Sequence, residues 1–179
     1  MNNDYFAKYI DELNSINKSF DRKKAKIIEK KILSLKNKNN KIVFFGNGGS
    51  AAIINHFLID FNKNLNIKTQ TFNETSITCL ANDFGFSNWM KKALELNVDK
   101  KDLVILVSSS GNSTNHIKAA DYCKKRKIFT ISFTGFKKNK LSKKTNLSFI
   151  VNSKNYNIIE NTHSTWLLMI LDKIKKYKI

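Results

Sequence analysis

The chain has 179 residues, 41% of them hydrophobic, with two cysteines and no proline. That composition supports one domain with a proper core and excludes a disordered chain. No apolar run reaches the ~18–20 residues needed to cross a bilayer, so no membrane partner is expected. The opening stretch MNNDYFAKYIDEL mixes acidic and basic residues without the apolar run of a signal peptide, and a cytoplasmic location is expected.

The formal net charge is +18, yet the lysines are scattered along the whole chain. Arginine, which reads bases and phosphates bidentately, occurs only at Arg22 and Arg126. Nucleic acid is therefore not an expected partner, and the charge reads as a modest attraction for anionic substrates. Cys79 and Cys123 fit no metal spacing and lie among apolar residues, so both are expected to be reduced core thiols.

Residues 4–18 and 21–35 each carry apolar side chains at helical spacing, with Asp21 placed to cap the second helix. A short apolar run at 41–45 then breaks into Gly46-Asn47-Gly48-Gly49-Ser50, followed by a helical pattern to about residue 63. A strand is expected near 68–72, then a stretch to residue 86 with a loop at Asn82-Asp83, and a helix from Trp89 to Leu96. The run LVILV at 103–107 is the kind found in fully buried parallel strands. It ends in Ser108-Ser109-Ser110-Gly111-Asn112-Ser113, and a helix at 115–126 follows. Strands at 128–134 and 147–151 and a last helix at 157–175 complete the pattern. Alternating strands and helices predict an α/β fold: a parallel sheet flanked by helices, with two N-terminal helices ahead of it.

Ligands in such sheets sit beyond the carboxyl ends of the strands. Two of those ends, 46–50 and 108–113, are rich in Gly, Ser and Asn. Glycines let another group approach the backbone, and open N–H groups at a helix start attract anions. Turn chemistry and helix capping would also favour these residue types, but two such loops at neighbouring strand ends point to phosphate binding. His56 and Asp60 share a helix face, as do Glu160 and His163. Such pairs can serve as acid and base, as metal ligands or as ordinary surface and core residues. His116 reads as a surface or loop-shaping residue.

GNGGSAA at 46–52, HF at 56–57, ANDFGF at 81–86, SSSGNS at 108–113 and ENTH at 160–163 occur together in an order and spacing that resemble the sugar isomerase (SIS) domain, within it the phosphoheptose isomerase group. The resemblance spans nearly all of residues 1–179. It implies a single domain, a flavodoxin-like three-layer sandwich, with residues 1–36 as oligomerising helices, residues 37–179 as the α/β core, and a homotetramer. It implies substrate-binding roles for Asn47, Gly48, Ser50, Asp83, Ser108, Ser109, Ser110 and Ser113. His56 matches a zinc ligand of zinc-bearing members, which makes His56, Asp60 and Glu160 the metal candidates and zinc the candidate cofactor; the other reading is a metal-free site in which Glu160 acts directly as base, and no redox cofactor is implied. Asp60 stands where those members have glutamate, Glu160 where they have glutamine, and Leu168 where they have a final histidine ligand.

The activity implied is the aldose–ketose isomerisation of a sugar phosphate, sedoheptulose 7-phosphate to a heptose 7-phosphate for surface polysaccharide. Glu160 is expected as base, with His163 or Asp60 moving the hydroxyl protons. The alternative within the same family is a sugar-phosphate-binding regulator that acts through a protein partner without turnover.

Overall fold

The computed structural model describes residues 4–36 and 38–176. Helices α1 (Tyr5–Lys18) and α2 (Arg22–Leu33) precede the sheet. The core then runs β1 (Lys41–Gly46), α3 (Gly49–Leu65), β2 (Lys68–Gln70), α4 (Glu74–Phe84), α5 (Trp89–Asn97), β3 (Leu103–Ser108) and α6 (Thr114–Arg126). It closes with β4 (Phe129–Gly135), a 3-10 turn at Leu141–Lys143, β5 (Leu147–Val151) and α7 (Tyr156–Lys175). All strand pairs are parallel, and the sheet order is β2-β1-β3-β4-β5. The chain leaves β1 toward one sheet edge and returns to its other side, so the strand order reverses between β1 and β3. In doubly wound sheets that reversal opens the ligand crevice.

Side chains alternate across the sheet because successive strand residues point to opposite faces. Ile42, Phe44, Ile105 and Val107 join the core under α1, α2, α3 and α7. Val43, Phe45, Val104 and Leu106 join the core under α4, α5 and α6. Both faces are covered, which is why β1 and β3 read as continuous apolar runs rather than alternating ones. Each fully buried Phe or Ile contributes about 1.5–3 kcal/mol of transfer free energy. Buried Asp102 ties the amino-terminal ends of β1 and β3: its carboxylate accepts from the Lys41 backbone N–H at 2.9 Å and pairs with the Lys41 ammonium at 3.1 Å. Among the described residues, no helix is long and apolar enough to cross a membrane.

Three expectations change. Asn82 and Asp83 do not form a loop; they lie in the last turn of α4, which is capped at its start by Asn73 and ended by Gly85 at φ +81°. The turn-forming pair sits just ahead of that glycine stop, where poor helix formers are tolerated. Cys79 is exposed on the same helix, because the apolar residues around it, Ile77, Leu80 and Ala81, point the other way into the core; Cys123 is buried. His116 is fully buried rather than on the surface.

Candidate active site

The site is assembled where β1 and β3 end side by side. Gly46 leads into a turn so close to the following helix that a Cβ there would lie 2.7 Å from the Ser50 carbonyl carbon. Gly48 takes φ +52°, a conformation that only glycine adopts without strain, and starts α3. Helices α1, α2, α4 and α7 are capped by the side chains of Asp4, Asp21, Asn73 and Asn155. The two helices that start at the crevice, α3 after Gly48 and α6 after Ser113, have no side-chain cap, as is also true of α5. The Ala51 N–H already bonds the Gly48 carbonyl and the His116 N–H already bonds Asn115 Oδ1, so it is the first two N–H groups of each helix that face the crevice, with the positive end of the helix dipole behind them.

Ser50 and Ser109 are buried, and their hydroxyls meet at 3.3 Å across the two strand ends. Ser109 also donates to Glu160 Oε1 at 2.9 Å, which brings the start of α7 into the same cluster. The Glu160 carboxylate lies over Gly49, where a Cβ would come within 2.2 Å of Oε2. Only a glycine at position 49 leaves room for it. Ser108 and Ser110 hold the loop itself by accepting from the backbone N–H groups of Gly111 and Asn112. Ser113 is half-buried at the start of α6, and Gly48 is exposed. Ser50, Ser109 and Glu160 thus meet, with Ser108, Ser110 and Ser113 along the loop that carries Ser109.

Other candidates lie elsewhere. Asp83 is exposed on α4, where it accepts from Asn82 Nδ2 at 3.2 Å and lies 3.9 Å from Cys79 Sγ. His163 is fully buried with its ring edge-on to Phe133, and neither ring nitrogen makes a hydrogen bond among the described residues. Burial pushes its pKa down to about 4, against the pull of the Thr134 backbone. It is a neutral core imidazole one turn beyond Glu160, not a group facing the serines.

His56 Nε2 pairs with Asp60 at 3.2 Å on the outer side of α3. The metal expectation needed this pair to meet Glu160. Within the chain it does not: among the described residues, no three His, Cys, Asp or Glu side chains gather as a metal-binding group. His56 contacts Asp60 and Glu160 contacts Ser109, so the single chain does not bring the three candidate ligands together.

Two positions that the sequence did not single out hold the loops in place. Asn115 exchanges amide hydrogen bonds with Asn47, at 3.2 and 3.1 Å. Buried Asn139 donates to Thr134 Oγ1 and to the Gly135 and Phe136 carbonyls, and fills the space beside Gly111, whose φ is +60°. Asn115 is visible in the pattern SSSGNSTN, but Asn139 sits in a lysine-rich stretch with no distinguishing signal.

A parallel α/β sheet with donor-rich helix starts at its reversal point offers a place for an anionic ligand such as a phosphate. Comparison with known proteins makes this specific. The SIS domain model matches residues 8–135, and the chain belongs to that family. A phosphoheptose isomerase from Thermodesulfovibrio yellowstonii is 34% identical over 156 residues, covering 83% of this chain and 76% of the relative. A probable phosphoheptose isomerase from Thermoplasma volcanium is 29% identical over 94% of this chain and 90% of its own length. The structure of a phosphoheptose isomerase from Neisseria gonorrhoeae superposes with a TM-score of 0.87 at 23% identity, covering 96% of this chain and 95% of that one. The fold is that of the family, and by sequence the chain stands among its phosphosugar isomerases.

Proposed function

We propose that this chain interconverts a ketose phosphate and an aldose phosphate, with sedoheptulose 7-phosphate as the ketose and a heptose 7-phosphate for surface polysaccharide as the product. The observation that carries the reading is the chain of contacts Ser50–Ser109–Glu160, which sets a carboxylate beside the uncapped start of α3 and the serine loop that leads into α6. The names of the sequence relatives support the substrate.

The serine loop and the turn at 46–50 hold the phosphate with neutral donors. Glu160 takes the proton from the hydroxyl-bearing carbon beside the carbonyl, giving an enediol. The same carboxyl returns the proton to the neighbouring carbon, while the hydroxyl proton passes to the former carbonyl oxygen. No electrons leave the sugar. Ser109 fixes the carboxylate by donating to Oε1, so the base needs no reorganisation when substrate arrives. A positioned general base of this kind contributes about 10²–10⁴-fold.

Assembly into a homo-oligomer goes with this reading. Tyr5, Phe6 and Ile10 on α1 and Ile59 on α3 remain exposed in the single chain. Light scattering after size exclusion reads the assembly directly.

The activity test is NMR in D2O with sedoheptulose 7-phosphate. Deuterium entering at the carbon next to the carbonyl, with a new aldose signal, is the expected result. Binding without exchange, across a panel of sugar phosphates, would instead make the chain a non-catalytic regulator.

A further inference from the structure

Asn47 opens the turn after β1 and is half exposed beside the crevice; Asn115 lies two residues into α6 and is 2% exposed. Although 68 positions apart in sequence, they donate to each other, Asn47 Nδ2 to Asn115 Oδ1 at 3.2 Å and Asn115 Nδ2 to Asn47 Oδ1 at 3.1 Å. A primary amide has two N–H donors and one carbonyl. The reciprocal pair therefore fixes which way each amide points and leaves Asn47 with one N–H uncommitted.

Asn115 is itself clamped. Its Oδ1 also accepts from the His116 backbone N–H at 3.0 Å and lies 3.2 Å from His116 Nδ1. The other ring nitrogen, Nε2, is 3.1 Å from the Val107 carbonyl at the end of β3. The His116 ring is fully buried, so it cannot swing away to solvent. The contacts thus run from β3 through His116 and Asn115 to the turn that follows β1, and they bridge the two halves of the crevice.

We propose that Asn115, held by His116, is a positioning residue for Asn47: it locks the Asn47 amide in one orientation so that the remaining N–H faces the ligand at the strand ends. Asn115 makes no contact with substrate itself. A tie that only stabilised the fold would not require an amide at both ends, nor would its loss be felt through Asn47 alone.

The test compares Asn47→Ala, Asn115→Ala and the double variant, and in its activity form it rests on the isomerase reading. Each single variant is expected to raise KM for sedoheptulose 7-phosphate about tenfold, the loss of one useful hydrogen bond, with kcat changed far less. The double variant is expected to be no worse than Asn47→Ala. Losses that multiply, or an unchanged KM in Asn115→Ala, would overturn the proposal. Asn115→Asp keeps the shape and removes the donor to Asn47, so it carries the test if the alanine variant does not fold. If the wild type turns over no sugar phosphate, the isomerase reading fails separately. The brace is then read from the Asn47 side-chain amide by NMR: protected from solvent exchange in the wild type and rapidly exchanging in Asn115→Leu, which removes the Oδ1 that the Asn47 N–H donates to. Equal exchange in both proteins would rule the brace out.

Discussion

The two ends of the sheet are built from different chemistry. At the carboxyl ends of β1 and β3 the loops 46–50 and 108–113 contain no lysine; they offer hydroxyls, amides and open helix starts, with one carboxylate among them. Below the opposite edge, a pocket of about 390 Å³ is lined by Lys31, Lys100, Lys124, Lys127, Lys143 and Lys144, and no carboxylate lines it. Two of these lysines, Lys31 and Lys124, lie in the last turns of α2 and α6, where cations offset the negative end of the helix dipole. Net charge is thus a poor guide to where the fixed hydrogen-bond donors gather. The candidate site uses fixed neutral donors, which need no reorganisation on binding, whereas ammonium groups gather at the far edge.

That contrast is broken most sharply at Glu160. Glu160→Gln keeps the size and the contact with Ser109 but removes the base, and kcat is expected to fall by about 10²–10⁴-fold with ligand affinity nearly unchanged. Retained turnover in stopped or steady-state assays would move the base elsewhere, Asp60 first. Gly49→Ala comes next. Its methyl group would occupy the place of the Glu160 carboxylate, which must swing off Ser109. A roughly tenfold to hundredfold fall in kcat is expected from a displacement of about 1 Å, with little change in melting temperature because the displaced group is a flexible side-chain end.

Acid should weaken the fold through its buried histidines. Burial holds His116 and His163 at about 4, below the ordinary 6.5. The unfolded chain takes up protons between those values that the folded chain refuses, so stability is full above pH 6.5 and falls as pH drops toward 4. Each histidine contributes on the order of 3 kcal/mol across that window. Denaturant melts at pH 7 and pH 5 measure the loss. His163→Leu is expected to flatten the decline and to leave turnover within about threefold, since the ring packs on Phe133 rather than on the site. A collapse of activity in that variant would restore a catalytic role to His163.

The smallest effect is expected at the far edge. Charge reversal at Lys124, Lys127 and Lys143 should leave kcat/KM within about twofold at physiological salt, where the Debye length is about 8 Å. A large loss would mean that the lysine field, not the donor loops, captures the substrate.

Much of the architecture was written along the chain because it follows from local period and punctuation. The apolar run of β3, the glycine turn after β1 and the Asp21 cap each have a cause within a few residues. Asn82 and Asp83 misled because their turn preference is weaker than a helix already capped at Asn73 and stopped at Gly85. The pairing of His56 with Asp60 was legible, since four residues make one helical turn. Its separation from Glu160 was not, because that depends on how α3 and α7 lie against each other.

The order of strands and helices and the two donor-rich loops at the strand ends were legible along the chain. Periodicity and turn chemistry are local, and they leave their mark on neighbouring residues. Only the tertiary structure decided that Glu160 lies over Gly49 within reach of Ser109, that His163 and His116 are buried, and that Asn47 and Asn115 brace each other. Those relations join residues from different strand ends, and the packing of helices on a twisted sheet fixes their distances.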